Sequence, residues 1–163
     1  MSASSAAMQQ ATAGSPSAVW LPGVTPDDIQ FLTANVTGLA STAPNGSSTI
    51  QVDNGYDFYW YAMTHLADSS GGAQFLTGGS TTGGIPNPLV TVLINDSSAN
   101  RNLQNVATPL PMVSGSGELP YRLIRPRLFP ANTVISFTWV SYVASGTTYS
   151  NLYHCLHGYR IRH

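Results

Sequence analysis

Apolar and aromatic residues fall in short runs, and clusters of Gly, Pro, Asn and Ser separate these runs. Runs of this length, rich in β-branched and aromatic residues and bounded by turn formers, predict β-strands. The predicted strands are 48–52, 56–66, 89–95, 133–143 and 149–160. Turn formers at 53–55 and 144–146 lie between predicted strands.

The run 133–143 shows the alternation of a strand most clearly, because successive side chains of a strand point to opposite faces. One face carries Ile135, Phe137, Trp139 and Ser141, and the other carries Val134, Ser136, Thr138 and Val140. The first face holds the bulkier side chains, so we predict that it faces the core.

The segment 25–39 has two interpretations. Thr25, Pro26 and two aspartates resemble the start of a helix, and apolar residues continue at helical spacing. However, Thr33, Asn35, Val36, Thr37 and Gly38 are poor helix formers, and 30–36 could alternate as a strand. We favour a short turn followed by a strand.

The fold class predicted from these runs is all-β, an antiparallel jelly-roll or β-sandwich. No amphipathic helix is available to cover a parallel sheet, and no internal repeat suggests a propeller. We assign the β-sandwich domain to residues 25–163. Two long irregular stretches, 69–88 and 97–118, are expected to be functional or to contact a partner.

Residues 1–24 are predicted to be a flexible N-terminal arm and connector, because residues 1–17 are too small and polar to offset their ordering entropy. Trp20 and Leu21 could anchor this arm on its own domain or on a neighbour. The arm shows no signal-peptide pattern, and the chain has no apolar stretch of about 18 residues. The single cysteine, Cys155, cannot form an intramolecular disulfide, so an intracellular origin is expected.

Composition favours assembly with other proteins. Only 8% of the 163 residues are charged, lysine does not occur, and the formal net charge is -1. A surface of hydroxyls and amides has little charge to keep copies apart. The charge balance also gives no bulk attraction for nucleic acid or an anionic membrane, so neither is an expected partner.

The sequence 153–159 contains the densest set of potential metal ligands, His154, Cys155 and His157. On a strand, Cys155 and His157 share one face and His154 lies on the other, and no second ligand pair accompanies them. We predict that these residues are structural, with no metal and no cofactor. A cupin-like metalloenzyme built on His65, His154 and His157 is an alternative.

No other pattern indicates an enzyme. The carboxylates are scattered singly beside turn residues, where aspartate usually caps backbone amides. Phosphate-binding glycine loops and the G-x-S-x-G motif do not occur. We therefore expect a protein without catalytic activity.

Arg122, Arg125 and Arg127 lie close together in a proline-stiffened segment, which favours a rigid surface for the carboxylates of a protein partner. Base stacking beside arginine is the weaker alternative. At least one of the three is also expected to pair within the chain, with Asp57 or Glu118.

The aromatic run 56–61 is expected to lie between the core and a subunit interface, although exposed Tyr and Trp could instead stack on a carbohydrate. The predicted partner-binding residues are Trp20, Leu21, Tyr56, Trp60, Arg122, Arg125 and Arg127.

The order of three sequences carries a resemblance: Gly-Tyr-Asp-Phe at 55–58, Leu-Phe-Pro-Ala-Asn-Thr-Val-Ile at 128–135 and Leu-His-Gly-Tyr-Arg at 156–160. With the arm before them, they resemble the small jelly-roll structural proteins of tailed bacteriophages, in particular capsid cement or decoration proteins. The resemblance implies a homodimer or homotrimer that binds the major capsid protein between capsomers on the capsid surface and stabilises the shell, after assembly in the host cytoplasm. The alternative is a tail or head accessory β-sandwich that binds carbohydrate or a receptor.

Overall fold

A computed structural model describes residues 28–69, 89–116, 119–142 and 148–162. Its strands are β1 Asp28–Ala40, β2 Asn45–Gln51, β3 Tyr56–Ser69, β4 Val90–Asp96, β5 Arg101–Asn102, β6 Thr108–Pro109, β7 Tyr121–Phe129, β8 Val134–Ser141 and β9 Thr148–Arg162. A short helix, α1, spans Leu110–Val113. The predicted arm, with Trp20 and Leu21, lies outside the described residues. None of the described helices is long and apolar enough to cross a membrane.

The strands form two sheets packed face to face. Sheet A has the order β1-β9-β3-β7, and sheet B has the order β2-β8-β4, with β5 and β6 both paired to β4. The strand pairs within both sheets are antiparallel. From β1 to β4 and again from β7 to β9, consecutive strands alternate between the sheets. This alternation is that of a jelly roll, so the predicted fold class is confirmed.

The inward faces of the two sheets form the core. Ile135, Phe137 and Trp139 of β8 are fully buried, as the alternation predicted. They meet Leu152 and Leu156 of β9, which are also fully buried, from sheet A. Burial of five such side chains removes a large apolar area from water, which is the main stabilising term in folding.

The five predicted strands correspond to β2, β3, β4, β8 and β9, and most of their predicted ends lie within a few residues of the observed ones. The preference for a strand over a helix after residue 28 is also confirmed, because β1 pairs with β9 along its whole length. Its inward positions Ala34 and Val36 are buried.

Strand β7 was not predicted, because the segment 120–130 contains three prolines. It lies at the edge of sheet A, where Pro126 needs no partner for a missing N–H. The stretch 97–118, predicted to be irregular, supplies β5, β6 and α1 along the edge of sheet B.

Candidate protein-contact surfaces

The two sheets differ in the chemistry of their outer faces. Sheet B turns mainly hydroxyl and amide side chains to solvent, including Ser47, Thr49, Ser136, Thr138 and Asn95, with Leu93, Val134 and Val140 between them. This is the ordinary composition of a solvated face.

The outer face of β1, β9 and β3 in sheet A, called face A below, is aromatic and apolar. Its residues are Ile29, Phe31, Thr33, Asn35, Tyr61, Thr64, Leu66, Tyr153, Cys155, His157 and Tyr159. None of these side chains is an acid, a lysine or an arginine. An acid, Asp57, lies on the same side of β3 beyond them, opposite Ile161. Ile29 and Phe31 remain 55% and 59% exposed.

Ring contacts order the side chains of face A. Phe31 meets the imidazole of His157 edge-on, with ring centroids 5.0 Å apart. Tyr61 stacks on Tyr159 at the same centroid distance. The hydroxyl of Thr64 lies 2.9 Å from Nε2 of His157. Burial lowers the pKa of His157 below its ordinary value, so the imidazole is neutral at pH 7 and face A carries no charge there.

A second feature is a groove between β7 and the edge of sheet B, called the edge groove below. Its volume is about 290 Å³. Buried side chains form its floor, and partly buried ones form its walls. The floor consists of Trp60, Met63 and Ile94, and the walls of Leu103, Val113 and Leu123.

The edge groove is open because β7 bulges away from β3. Trp60 pairs with Arg127 and Ala62 pairs with Arg122, so Tyr61 alone faces the four residues 123–126. Extra residues in one strand must leave the ladder, which bends that strand. Pro126 lies within the bulge, where no ladder hydrogen bond is lost.

An ion pair between Arg127 and Asp96 joins the two sheets at this edge. Burial alone would raise the pKa of Asp96, but hydrogen bonds from Ser98, Arg127 and Ala99 outweigh it and hold the pKa below its ordinary value. The guanidinium of Arg127 also lies 5.3 Å from the centroid of the Phe129 ring. Arg127 is therefore committed within the domain.

The structure separates the three predicted arginines. Arg125 is exposed and lines the edge groove, whereas Arg122 pairs with Ala62 on the opposite side of β7, at the rim of face A. No ion pair joins either of them to another described residue.

The ion-pair partner of Arg127 is Asp96, which differs from the two acids, Asp57 and Glu118, named as expected partners of the arginines. The carboxylate of Asp57 accepts a hydrogen bond from the backbone N–H of Ala131 at 2.8 Å. Glu118 lies outside the described residues.

The burial of Tyr56 and Trp60 corrects their prediction as partner contacts. Both point inward, because positions 56, 58 and 60 share the core face of β3. The indole N–H of Trp60 donates to the carbonyl of Ala62 at 2.8 Å, and its ring stacks on Phe129. Of the run 56–61, only Tyr61 is left partly exposed on face A among the aromatics.

Tyr56 closes a small network at one end of the sandwich. Its hydroxyl donates to the carboxylate of Asp53 and accepts from the side-chain amide of Gln30 at 2.9 Å. The guanidinium of Arg160 lies 4.8 Å from the centroid of its ring. These contacts explain why Tyr56 packs inward rather than onto a partner.

The histidines and the cysteine lie as the strand alternation predicted. His154 is fully buried in the core, whereas Cys155 and His157 are on face A. His65 pairs with His154 across β3 and β9, and Nε2 of His154 lies 3.4 Å from the sulfur of Met63. Within the described ranges, no three residues of the His, Cys, Asp and Glu types group as metal ligands.

The sequence patterns did not single out Ile29 and Phe31 as contact residues. Alternation alone does not tell which face of an amphipathic strand is covered by its own domain. A signal was present nonetheless: the outward positions 29–35 of β1 and 153–159 of β9 carry no Asp, Glu, Lys or Arg.

No protein-family model, no curated protein and no solved structure matches this chain.

Proposed function

We propose that the protein is a non-catalytic structural component of a virion, a decoration protein that attaches to the outside of a capsid through face A. The observation that carries this proposal is the contrast between the outer faces of the two sheets. One is polar and suited to water, and the other presents an uncharged aromatic surface.

Face A has the composition of the centre of a protein interface, where charged residues are depleted and aromatic residues are enriched. A contiguous apolar surface of this kind is uncommon on a protein that works alone in water. Covering Phe31 and Ile29 contributes about 1.5–3 kcal/mol for each side chain that becomes fully buried. Arg122 at the rim can pair with a carboxylate of the shell and set the orientation.

A shell offers many copies of one site, which makes a modest contact sufficient. When the attached protein also contacts neighbouring copies of itself, each contact that has formed raises the effective concentration of the remaining binding surfaces for their sites on the shell. The low charge of the chain supports dense packing of copies on one surface, because neighbouring copies repel each other little.

The alternative of carbohydrate binding depended on exposed aromatics in the run 56–61. Tyr56, Phe58, Tyr59 and Trp60 are all buried, so this run offers no row of exposed rings for a sugar. The burial removes the observation that favoured this alternative.

The proposal is tested by co-sedimentation of the purified protein with capsids that lack it. The wild-type protein is expected to sediment with them and to raise their melting temperature. The double variant Ile29→Ser, Phe31→Ser is expected to attach at least ten-fold more weakly, because it removes the largest exposed apolar groups of face A.

The matched control is Val106→Ser, Met112→Ser, which removes apolar side chains that are 60% and 68% exposed but lie on the edge of sheet B. This control should attach as the wild type does. Wild-type protein that stays in the supernatant, with unchanged melting of the capsids, would refute the proposed function.

A further inference from the structure

We infer that the edge groove is the binding site of the chain's own N-terminal segment, with the indole of Trp20 in the cavity and Leu21 beside it. This inference concerns a different surface from face A and does not depend on attachment to a capsid.

The first argument is the position at which the N-terminal segment joins the domain. Asp28 pairs with Arg160, Arg160 pairs with Phe58, and Phe58 pairs with Phe129, which places these residues on one line across sheet A. With about 4.8 Å between neighbouring strands, Asp28 lies about 14 Å from Phe129. The segment therefore enters at the same end of sheet A as the carboxyl end of β7.

The second argument is reach. Arg127, which precedes Phe129 by two residues on β7, lines the edge groove. Eight residue steps separate Trp20 from Asp28, and an extended chain covers about 26 Å in that number of steps. This length exceeds the distance to the groove.

The third argument is chemical fit. The floor of the groove, formed by Trp60, Met63 and Ile94, is apolar and buried. A volume of about 290 Å³ exceeds the roughly 150 Å³ that holds a benzene-sized molecule. Trp20 is the only aromatic residue before Asp28.

The fourth argument is the exposed guanidinium of Arg125, which lines the groove and has no ion pair with another described residue. Tryptophan is the best aromatic partner for such a cation. The domain already places Arg127 over Phe129 and Arg160 over Tyr56 in this way. Arg125 over Trp20 would be a third contact of the same kind.

The segment of the same chain is preferred over that of a second copy. A tether of this length gives the attached segment an effective concentration in the millimolar range. At the micromolar concentrations of a purified protein, a neighbour's segment would compete poorly.

Acrylamide quenching of tryptophan fluorescence tests the inference on the full-length protein. The chain has three tryptophans, and Trp60 and Trp139 are buried. Comparison of the wild type with Trp20→Ser therefore isolates the quenching of Trp20. We expect a quenching constant for Trp20 at least three-fold below that of a free indole in water. A quenching constant equal to that of the free indole would overturn the inference, and this measurement needs no variant of the groove residues.

The location is tested by Leu123→Arg, which fills part of the groove with a longer side chain, against Ile124→Arg, which makes the same addition at a neighbouring residue that is 97% exposed. Leu123→Arg should raise the quenching of Trp20 at least three-fold, and Ile124→Arg should leave it unchanged. The double variant Leu123→Arg, Trp20→Ser shows whether the rise comes from Trp20 or from damage to the domain. If damage occurs, Arg125→Gln provides the milder test, with Arg122→Gln as its control.

Two further outcomes would also overturn the inference. If Phe31→Ser exposes Trp20 and Leu123→Arg does not, the segment lies on face A. If light scattering shows an oligomer that dissociates in Trp20→Ser, the segment occupies the groove of a neighbouring copy. A monomer with a protected Trp20 that only the groove variants release supports the inference.

Discussion

At the scale of single residues, burial determines the ionisation of His154. Its imidazole is fully buried beside the sulfur of Met63 and 5.2 Å from the centroid of the Phe137 ring. Burial, and then repulsion from His65, lowers the pKa of His154 from 6.5 to about 3. The neutral form is the one that the core accepts.

We predict that acid destabilises the protein through His154. The unfolded chain takes up the proton near pH 6.5 and the folded chain only near pH 3, so stability is highest above pH 6.5 and falls as the pH is lowered. Between pH 7 and pH 5 this residue should remove about 2 kcal/mol from the free energy of unfolding. Chemical denaturation at several pH values measures the slope.

The control for this prediction is His154→Leu. Its stability at a single pH does not matter for the test, but its free energy of unfolding should depend less steeply on pH than that of the wild type. The depressed pKa of His157 acts in the same direction and remains in both proteins. Equal pH slopes for the wild type and His154→Leu would contradict the prediction.

At the scale of elements, β9 is the interior strand of sheet A that pairs with both β1 and β3, and one glycine allows its close approach to β3. Gly158 pairs with Trp60 just before the bulge at Tyr61. A Cβ at position 158 would overlap the ring of Phe58 and lie 2.7 Å from the carbonyl oxygen of Tyr59. Only glycine fits there without movement of β3.

We predict that Gly158→Ala destabilises the protein by about 3 kcal/mol, because the new methyl group forces a shift in a packed core. Replacing Phe58 by Leu should relieve part of this overlap. The cost of Gly158→Ala should therefore be smaller in a Phe58→Leu background, which a double-mutant cycle by chemical denaturation would measure.

Gly38→Ala is the comparison, since Gly38 has a φ of +69° and open space around its Cα. It should cost about 1–2 kcal/mol for its backbone conformation alone. That cost should be the same with and without Phe58→Leu. If Gly158→Ala costs the same free energy of unfolding with and without Phe58→Leu, the ring of Phe58 is not the obstacle.

At the scale of the whole molecule, the outer face of sheet B is mainly polar and face A is mainly apolar and aromatic, and the single cysteine lies on face A. Cys155 pairs with Thr33 and Thr64 on face A. Burial raises the pKa of its thiol, and a hydrogen bond with Thr33 only partly offsets this. The thiol is therefore a slow nucleophile and a reporter of whether face A is covered.

We predict that alkylation of Cys155 by iodoacetamide, followed by mass spectrometry, is at least ten-fold slower in the capsid-bound protein than in the free protein. The control is a cysteine on the outer face of sheet B, Thr138→Cys in a Cys155→Ser background. It should be alkylated at the same rate in both states. If binding protects the introduced cysteine and leaves Cys155 unprotected, the attachment surface has been assigned to the wrong sheet.

Much of the fold could be predicted from the sequence, because strands and turns depend on local signals. A period of two predicted the core face of β8 and the opposite directions of His154 and Cys155. Pro126 within 121–129 is compatible with an edge strand or a bulge, because proline cannot donate a ladder hydrogen bond. These features depend on residues that are close together in the sequence, so they can be predicted without knowledge of the tertiary structure.

Pairings between distant residues could not be predicted in this way. The choice of Asp96 as the partner of Arg127 joins two sheets across 31 positions of sequence. The bulge opposite Tyr61 opens the edge groove and sends Arg125 and Arg122 to different surfaces. No local pattern encodes either of them.

The sequence by itself therefore determined the all-β class, the main strands and the direction of most side chains along each strand. The tertiary structure alone decided which outward face stays apolar, which arginine is neutralised and that Tyr56 and Trp60 belong to the core. The physical reason is range. Alternation and turn chemistry act between residues adjacent in the chain, whereas sheet order, bulges and ion pairs arise when distant strands meet and water leaves between them.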